Sequence, residues 1–179
     1  MKRRGVTAVE LLVVLLLAAI LFGVAMPAMH GMLQQMRLRA AVFDLAAAID
    51  QTRSQAIARG RSVLMAPLDA SAGWRRGWAI FIDQNGNHRP DAGEPLLYRH
   101  APIPDDMQLT SSFSSNADGL YLAYNAAGRA CSADNSLAAR WGTLSLTQGR
   151  QARNIKINML GRVRVCDPAQ DNNGCSGAN

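Results

Sequence analysis

Lys2-Arg3-Arg4-Gly5-Val6-Thr7-Ala8-Val9-Glu10-Leu11-Leu12-Val13-Val14-Leu15-Leu16-Leu17 opens the chain with three cations, a glycine and an apolar run that continues to Met26, broken near its start by one carboxylate. A basic leader ahead of a hydrophobic segment is how an export signal begins, yet no small-residue cleavage site closes the far end of the run. The apolar helix, 6–27, is therefore expected to survive processing and to span a membrane once, with any cut falling at Gly5 on the side of the positive charges. A carboxylate near the centre of a bilayer costs about 2.5–3.5 kcal/mol on insertion scales, so Glu10 needs a partner. Pro27 is expected to break the helix.

Beyond Pro27, residues 28–60 are rich in Ala, Leu, Met, Gln and Arg, and Gly31 alone interrupts them before Gly60 ends the run. At about 100° per residue, Leu38, Val42, Leu45, Ile49 and Ala56 fall on one line, the spacing that buries a helix face in a core. Met29, Leu33, Met36, Ala40, Phe43 and Ala47 fall on a second line roughly opposite, with Arg37, Arg39, Asp44, Asp50, Gln51 and Arg53 between them. Two apolar sides need two partners. The first stripe meets the chain's own domain; the second is better covered by helices of neighbouring subunits than by one small domain.

After Gly60 the pattern changes to short runs bounded by Gly, Pro, Asn and Asp: 62–66, 77–82, 96–99, 119–124, 143–147, 154–158 and 162–166. These read as strands of an antiparallel sheet, so the whole is α+β, with one β-rich globular domain over 61–179. Removal of Lys2, Arg3 and Arg4 from 19 basic residues leaves 16 against 13 acidic. Beyond the leader Lys156 is the only lysine, and arginine favours forked contacts with phosphate or carboxylate. An anionic partner is expected.

Three cysteines, Cys131, Cys166 and Cys175, leave one unpaired. Cys166 and Cys175 close a short loop through an Asn-Gly turn and are the cheapest pair to form, although Cys131 could compete for either. Within 83–94, Asp83, Asn85, Asn87, Asp91 and Glu94 stand at the first, third, fifth, ninth and twelfth places of a calcium loop. His88 occupies the place where such a loop needs Gly, and strands flank it. The preferred reading is a hairpin loop in which Asn85-Gly86 turns the chain and Asp83 bonds nearby amides, with no metal. No cofactor is expected.

Between Arg140 and Arg164 lie Arg140, Arg150, Arg153, Lys156, Arg162 and Arg164, and no acidic residue. Alternation in Asn154-Ile155-Lys156-Ile157-Asn158 and in Arg162-Val163-Arg164-Val165 sends the cations to one face and the apolar residues to the other. Met159-Leu160-Gly161 turns the two strands into a hairpin, and if both apolar sides meet the core, Lys156, Arg162 and Arg164 share the solvent side. Without a protein counter-ion, such crowding costs about a few tenths of a kcal/mol per opposed pair, which a polyanion relieves while releasing counterions. No aromatic residue interleaves, so base stacking has no platform and recognition should ignore sequence.

Gly5 before a cut, Glu10 fifth after it and the leucine-valine run resemble a type IV prepilin, with Val6 where such proteins most often carry Phe. The resemblance implies cleavage by a prepilin peptidase between Gly5 and Val6, methylation of the new terminus, and pairing of Glu10 with the amino terminus of a neighbouring subunit. Arg53-Ser54-Gln55-Ala56-Ile57-Ala58-Arg59-Gly60 and Trp74-Arg75-Arg76-Gly77-Trp78-Ala79-Ile80-Phe81-Ile82-Asp83 are similar to the GspH/FimT family of minor pilins and pseudopilins. Membership implies a long helix whose second half packs on antiparallel sheet, an inner-membrane anchor, a periplasmic head and assembly with other pilins at the cell surface. Gly161-Arg162-Val163-Arg164 resembles the Gly-Arg-x-Arg motif of FimT-like minor pilins that bind DNA in natural transformation.

Two functions compete. One is a minor pilin that holds DNA on Lys156, Arg162 and Arg164, with Arg150 and Arg153 beside them; the other is a structural pseudopilin of a type II secretion system. An enzyme is not expected, because His30, His88 and His100 are scattered and no Ser or Cys sits in a nucleophile setting.

Overall fold

The computed structural model describes residues 7–115, 120–171 and 174–175, and no side chain at 24–28 or 30. Gly5, Val6 and the rest of the leader lie outside the described residues, as do Gly119 and Asn173. The chain divides into two compact units, Met1–Arg37 and Leu38–Asn179.

The helix α1 covers Ala8–Arg59. Thr7 caps it. Its hydroxyl accepts from the Glu10 amide at 3.3 Å, and Glu10 Oε2 accepts from the Thr7 amide at 2.8 Å and the Thr7 hydroxyl at 3.1 Å. This is a reciprocal capping box, which the Thr7-Ala8-Val9-Glu10 spacing encodes. The expected break at Pro27 does not occur: the helix continues through it, since a proline removes one N–H donor and leaves the bonds of the flanking turns standing. In the first unit the large apolar side chains from Val9 to Phe22, and then Met29, Leu33 and Met36, are exposed. Among the described residues no helix is long and apolar enough to cross a membrane, so the expected span 6–27 is not shown.

In the second unit the two stripes separate as their spacing requires. Leu38, Val42, Leu45, Ile49 and Ala56 are buried, joined by Ala48 and Thr52, whereas Phe43 on the opposite side is 73% exposed. The buried stripe faces two sheets. One is ordered β3-β2-β1-β5-β6, from β1 (Val63–Pro67), β2 (Trp78–Phe81), β3 (Leu96–Arg99), β5 (Leu122–Tyr124) and β6 (Ala130–Cys131). The other is ordered β4-β7-β8-β9, from β4 (Met107–Phe113), β7 (Gly142–Gln148), β8 (Gln151–Ile157) and β9 (Val163–Cys166). Every pairing between these strands is antiparallel.

Both sheets and the helix share one core that includes Val63, Met65, Trp78, Ile80, Tyr124, Met107, Leu109, Leu144, Leu146, Ile155 and Ile157. Burying a large side chain there stabilises by about 1.5–3 kcal/mol before conformational entropy is charged against it. The reverse face of the first sheet carries a second cluster of Leu64, Ala66, Ala79, Phe81, Tyr121, Ala123 and Cys131. Covered on both sides, β1 is buried at every residue. Strand β4 is not expected from the sequence, nor is the two-residue β6.

Candidate nucleic-acid interface

The cationic hairpin forms. Asn154↔Cys166, Ile155↔Val165, Lys156↔Arg164 and Ile157↔Val163 are the paired positions of β8 and β9. Lys156 and Arg164 therefore stand side by side on the face away from the core, and Ile155 and Ile157 are buried on the other. Val165 does not join them: at 46% exposed on the outermost strand of the sheet, it lies past the edge of the core, a correction to the expectation that both valines of β9 are covered.

Asn158 builds the turn. Its amide donates to Arg162 O at 3.1 Å, its carbonyl accepts from Gly161 N at 2.9 Å, and its Oδ1 accepts from the amides of Leu160 and Arg162 at 3.0 and 2.9 Å. Gly161 has φ +76, and a Cβ there would stand 2.5 Å from Gly128 O and 2.6 Å from the Tyr124 ring. Glycine is thus demanded twice, by backbone conformation and by space. Arg162 follows it, exposed, and its guanidinium has no ion pair or hydrogen bond among the described residues. Lys156, Asn158, Arg162, Val163, Arg164 and Gly174 line a cleft of about 360 Å³.

The expectation of no protein counter-ion fails. Cys166 and Cys175 are disulfide-bonded, and their loop folds back over the strands. Asp171 reaches Arg164 at 3.2 Å, and Gly174 O accepts from Lys156 Nζ at 3.3 Å. A Cβ at Gly174 would come within 2.9 Å of an Arg164 guanidinium nitrogen, so the loop backbone lies against that cation. Asp167 pairs with Arg153 at 2.8 Å, both side chains less than one fifth exposed. Neither acid precedes Arg164 in sequence: Asp167 stands opposite Arg153 one step beyond the Asn154↔Cys166 pair, and the returning loop brings Asp171 in.

Arg153 and Arg150 do not join Lys156, Arg162 and Arg164. Arg153 is opposite Leu146 and shares the core side of β8 with Ile155 and Ile157, where the odd-numbered alternation puts it. Arg150 is exposed in the turn between β7 and β8, at the far end of β8 from the Asn158 turn. Arg140 is no surface charge either. At 2% exposed, its guanidinium lies 3.9 Å from the Tyr121 ring centroid and 4.5 Å from that of Phe113, and it donates to Ser115 O at 3.0 Å and to Tyr121 O.

The 83–94 segment is a hydrogen-bonded loop, as preferred. Asp83 Oδ1 accepts from the amides of Asn85 and Gly86 and Oδ2 from that of His88, while Glu94 accepts from the amides of Gln84 and Asp91. Hydrogen bonds from the Asn85 and Asn87 side-chain amides hold the Asp91 carboxyl below its ordinary value. Among the described residues no group of three or more His, Cys, Asp and Glu is placed to hold a metal ion. His88 pairs with Asp134 at 3.0 Å, and His100 stacks on Trp78 with centroids 3.9 Å apart. Cys131 is buried, and burial pushes its thiol up to about 11.

The model of the family described as type II transport protein GspH matches residues 41–161, about two thirds of the chain. Pilin-like protein PilA1 of Thermus thermophilus is 30% identical over 166 residues, which cover 92% of this chain and 99% of that protein. Two solved structures share the fold. The type IV minor pilin FimU of Pseudomonas aeruginosa PAO1 superposes with a TM-score of 0.56 at 21% identity, covering 74% of this chain and 90% of that one. The minor pseudopilin EpsH of the type 2 secretion system of Vibrio cholerae does so with 0.52 at 12%, covering 74% and 98%. On the matched family model, the relative aligned from end to end and the helix-on-sheet architecture, this chain belongs to the GspH/FimT family of minor pilins and pseudopilins.

Proposed function

We propose that the chain is a minor pilin of a type IV pilus that holds DNA by its phosphates at the outer end of the β8–β9 hairpin, for uptake in natural transformation. A prepilin peptidase cuts between Gly5 and Val6, the apolar segment 6–27 seats the subunit in the inner membrane with its head in the periplasm, and neighbouring pilins cover the exposed stripe of α1. No catalysis is assigned to it.

The observation that carries DNA binding is the cleft in which exposed Arg162 stands beside the opposed pair Lys156 and Arg164. Asp171 offsets one of these charges, but the balance favours a phosphate. Arg164 and Asp171 are 60% and 50% exposed, and an exposed pair contributes about 0.2–1 kcal/mol. Each phosphate neutralised on a duplex also releases counterions, and several act together.

The test is a salt titration of the full chain in detergent micelles with a labelled duplex of random sequence. Each contact contributes about −0.9 to the slope of log K against log salt, so Lys156, Arg162 and Arg164 together contribute about −2.7. Absence of salt-sensitive association, or an unchanged slope in the Arg162→Ala, Arg164→Ala double variant, removes this reading. The fold likeness to a minor pseudopilin and the acids of the disulfide loop then favour the alternative, a structural subunit of a type II secretion system.

A further inference from the structure

The geometry points to Arg129 as a further phosphate contact, paired with Arg162 by two copies of one turn. The inference rests on the DNA-binding reading above and extends its surface from the second sheet to the first.

The chain contains Asn-x-x-Gly-Arg twice, as Asn125-Ala126-Ala127-Gly128-Arg129 between β5 and β6 and as Asn158-Met159-Leu160-Gly161-Arg162 between β8 and β9. The two fold alike. Asn125 N donates to Arg129 O at 3.1 Å and Gly128 N to Asn125 O at 2.8 Å, while Asn125 Oδ1 accepts from the amides of Ala127 and Arg129, both at 3.0 Å. Each of these bonds has its counterpart in the Asn158 turn, and the glycines adopt φ +70 and +76. The side-chain amide fixes the backbone and the left-handed glycine turns it, so an arginine leaves each turn at the same step.

The turns also touch. A Cβ at Gly161 would stand 2.5 Å from Gly128 O and 3.2 Å from Ala130 N, and Arg129 lies between those two residues, as Arg162 follows directly on Gly161. Tyr124 OH donates to Gly161 O at 3.2 Å, and Arg53 Nε donates to Gly128 O at 2.9 Å, so side chains from both flanks fasten the junction. Arg129 is exposed, and like Arg162 its guanidinium has no ion pair or hydrogen bond among the described residues. Arg53 adds a third cation beneath them. Asp50 on α1, whose charge is felt at the Tyr124 phenol together with that of Arg53, stands against these. Two forked donors carried on docked, rigid turns suit successive oxygens of a phosphodiester chain better than a single ion.

The same titration on the full chain in micelles, with the labelled random duplex as probe, decides it. Arg129→Gln is expected to weaken association about three- to tenfold and to lower the salt slope by about 0.9, as Arg162→Gln does, while Arg129→Lys keeps the slope and Arg89→Gln changes nothing. If Arg129→Gln binds like the parent while Arg162→Gln is impaired, this inference is overturned and the DNA-binding reading stands. If Arg129→Lys loses as much as Arg129→Gln, the effect is on the turn and the inference is again overturned. If the parent chain itself does not bind, both fall together.

Discussion

Lys156 and Arg164 face each other across β8 and β9, and Asp171 closes on the second of them from the disulfide-bonded loop at 3.2 Å. The loop thus supplies an acid with which a phosphate bound as proposed would compete. Asp171→Asn is expected to tighten association with duplex DNA about two- to fivefold at low salt and to steepen its salt dependence. Because the pair is exposed, urea unfolding should shift by less than about 1 kcal/mol. Unaltered affinity would show that Asp171 does not compete for the site.

Gly161→Ala separates architecture from charge. The new Cβ meets Gly128 O and the Tyr124 ring at a positive φ, so a loss of about 2–4 kcal/mol in unfolding free energy is expected. Arg162→Ala, one residue on, should stay within about 0.5 kcal/mol of the parent. Denaturant titration of both variants checks this, and equal effects would contradict it.

Arg140 holds two parts of the head together. Its guanidinium lies over Phe113, the last residue of β4 in one sheet, and Tyr121, which precedes β5 in the other, and bonds to main-chain carbonyls. Arg140→Ala should cost about 2–4 kcal/mol by losing both ring contacts and leaving the buried Tyr121 carbonyl without this donor. DNA association per folded molecule should not change, since the residue does not reach the surface. A variant that unfolds like the parent would refute the first claim.

Alkaline pH should loosen the fold. Burial moves the Cys131 thiol from its ordinary 9.0 to about 11 and raises the Tyr124 phenol in the same direction. The folded chain keeps protons that the unfolded chain gives up, so this stabilisation is whole below pH 9 and is lost as pH climbs toward about 11. Melting temperatures should fall across that window, less steeply in Cys131→Ala. A melting temperature indifferent to pH there would show that neither group governs stability.

Periodicity makes much of this molecule legible. The line through Leu38, Val42, Leu45, Ile49 and Ala56 is the buried face of α1, and alternation in β8 and β9 puts Lys156 and Arg164 on one face, where the pairing sets them opposite each other. Applied one step further, the same alternation puts Arg153 on the core side with Ile155. Charge counted along the chain, and not by face, hides this. Strand β4 is illegible for another reason: Ser111, Ser112, Ser114 and Ser115 around Phe113 have the composition of a loop, and only pairing with β7 makes Met107, Leu109 and Phe113 a buried row. The ion pair of Asp171 depends on a loop doubling back through a disulfide, information that no local pattern holds, whereas Asp167 meets Arg153 one step beyond the Asn154↔Cys166 pairing.

Glu10 engages only one of its oxygens at the start of α1: both bonds from Thr7 end on Oε2, and among the described residues Oε1 makes none. A cation arriving from outside the chain therefore need not evict Thr7. Under the proposed assembly, one carboxylate would seal its own helix and dock a stranger's charge in the same instant, so that joining a neighbour would add a bond without first unravelling the end that receives it.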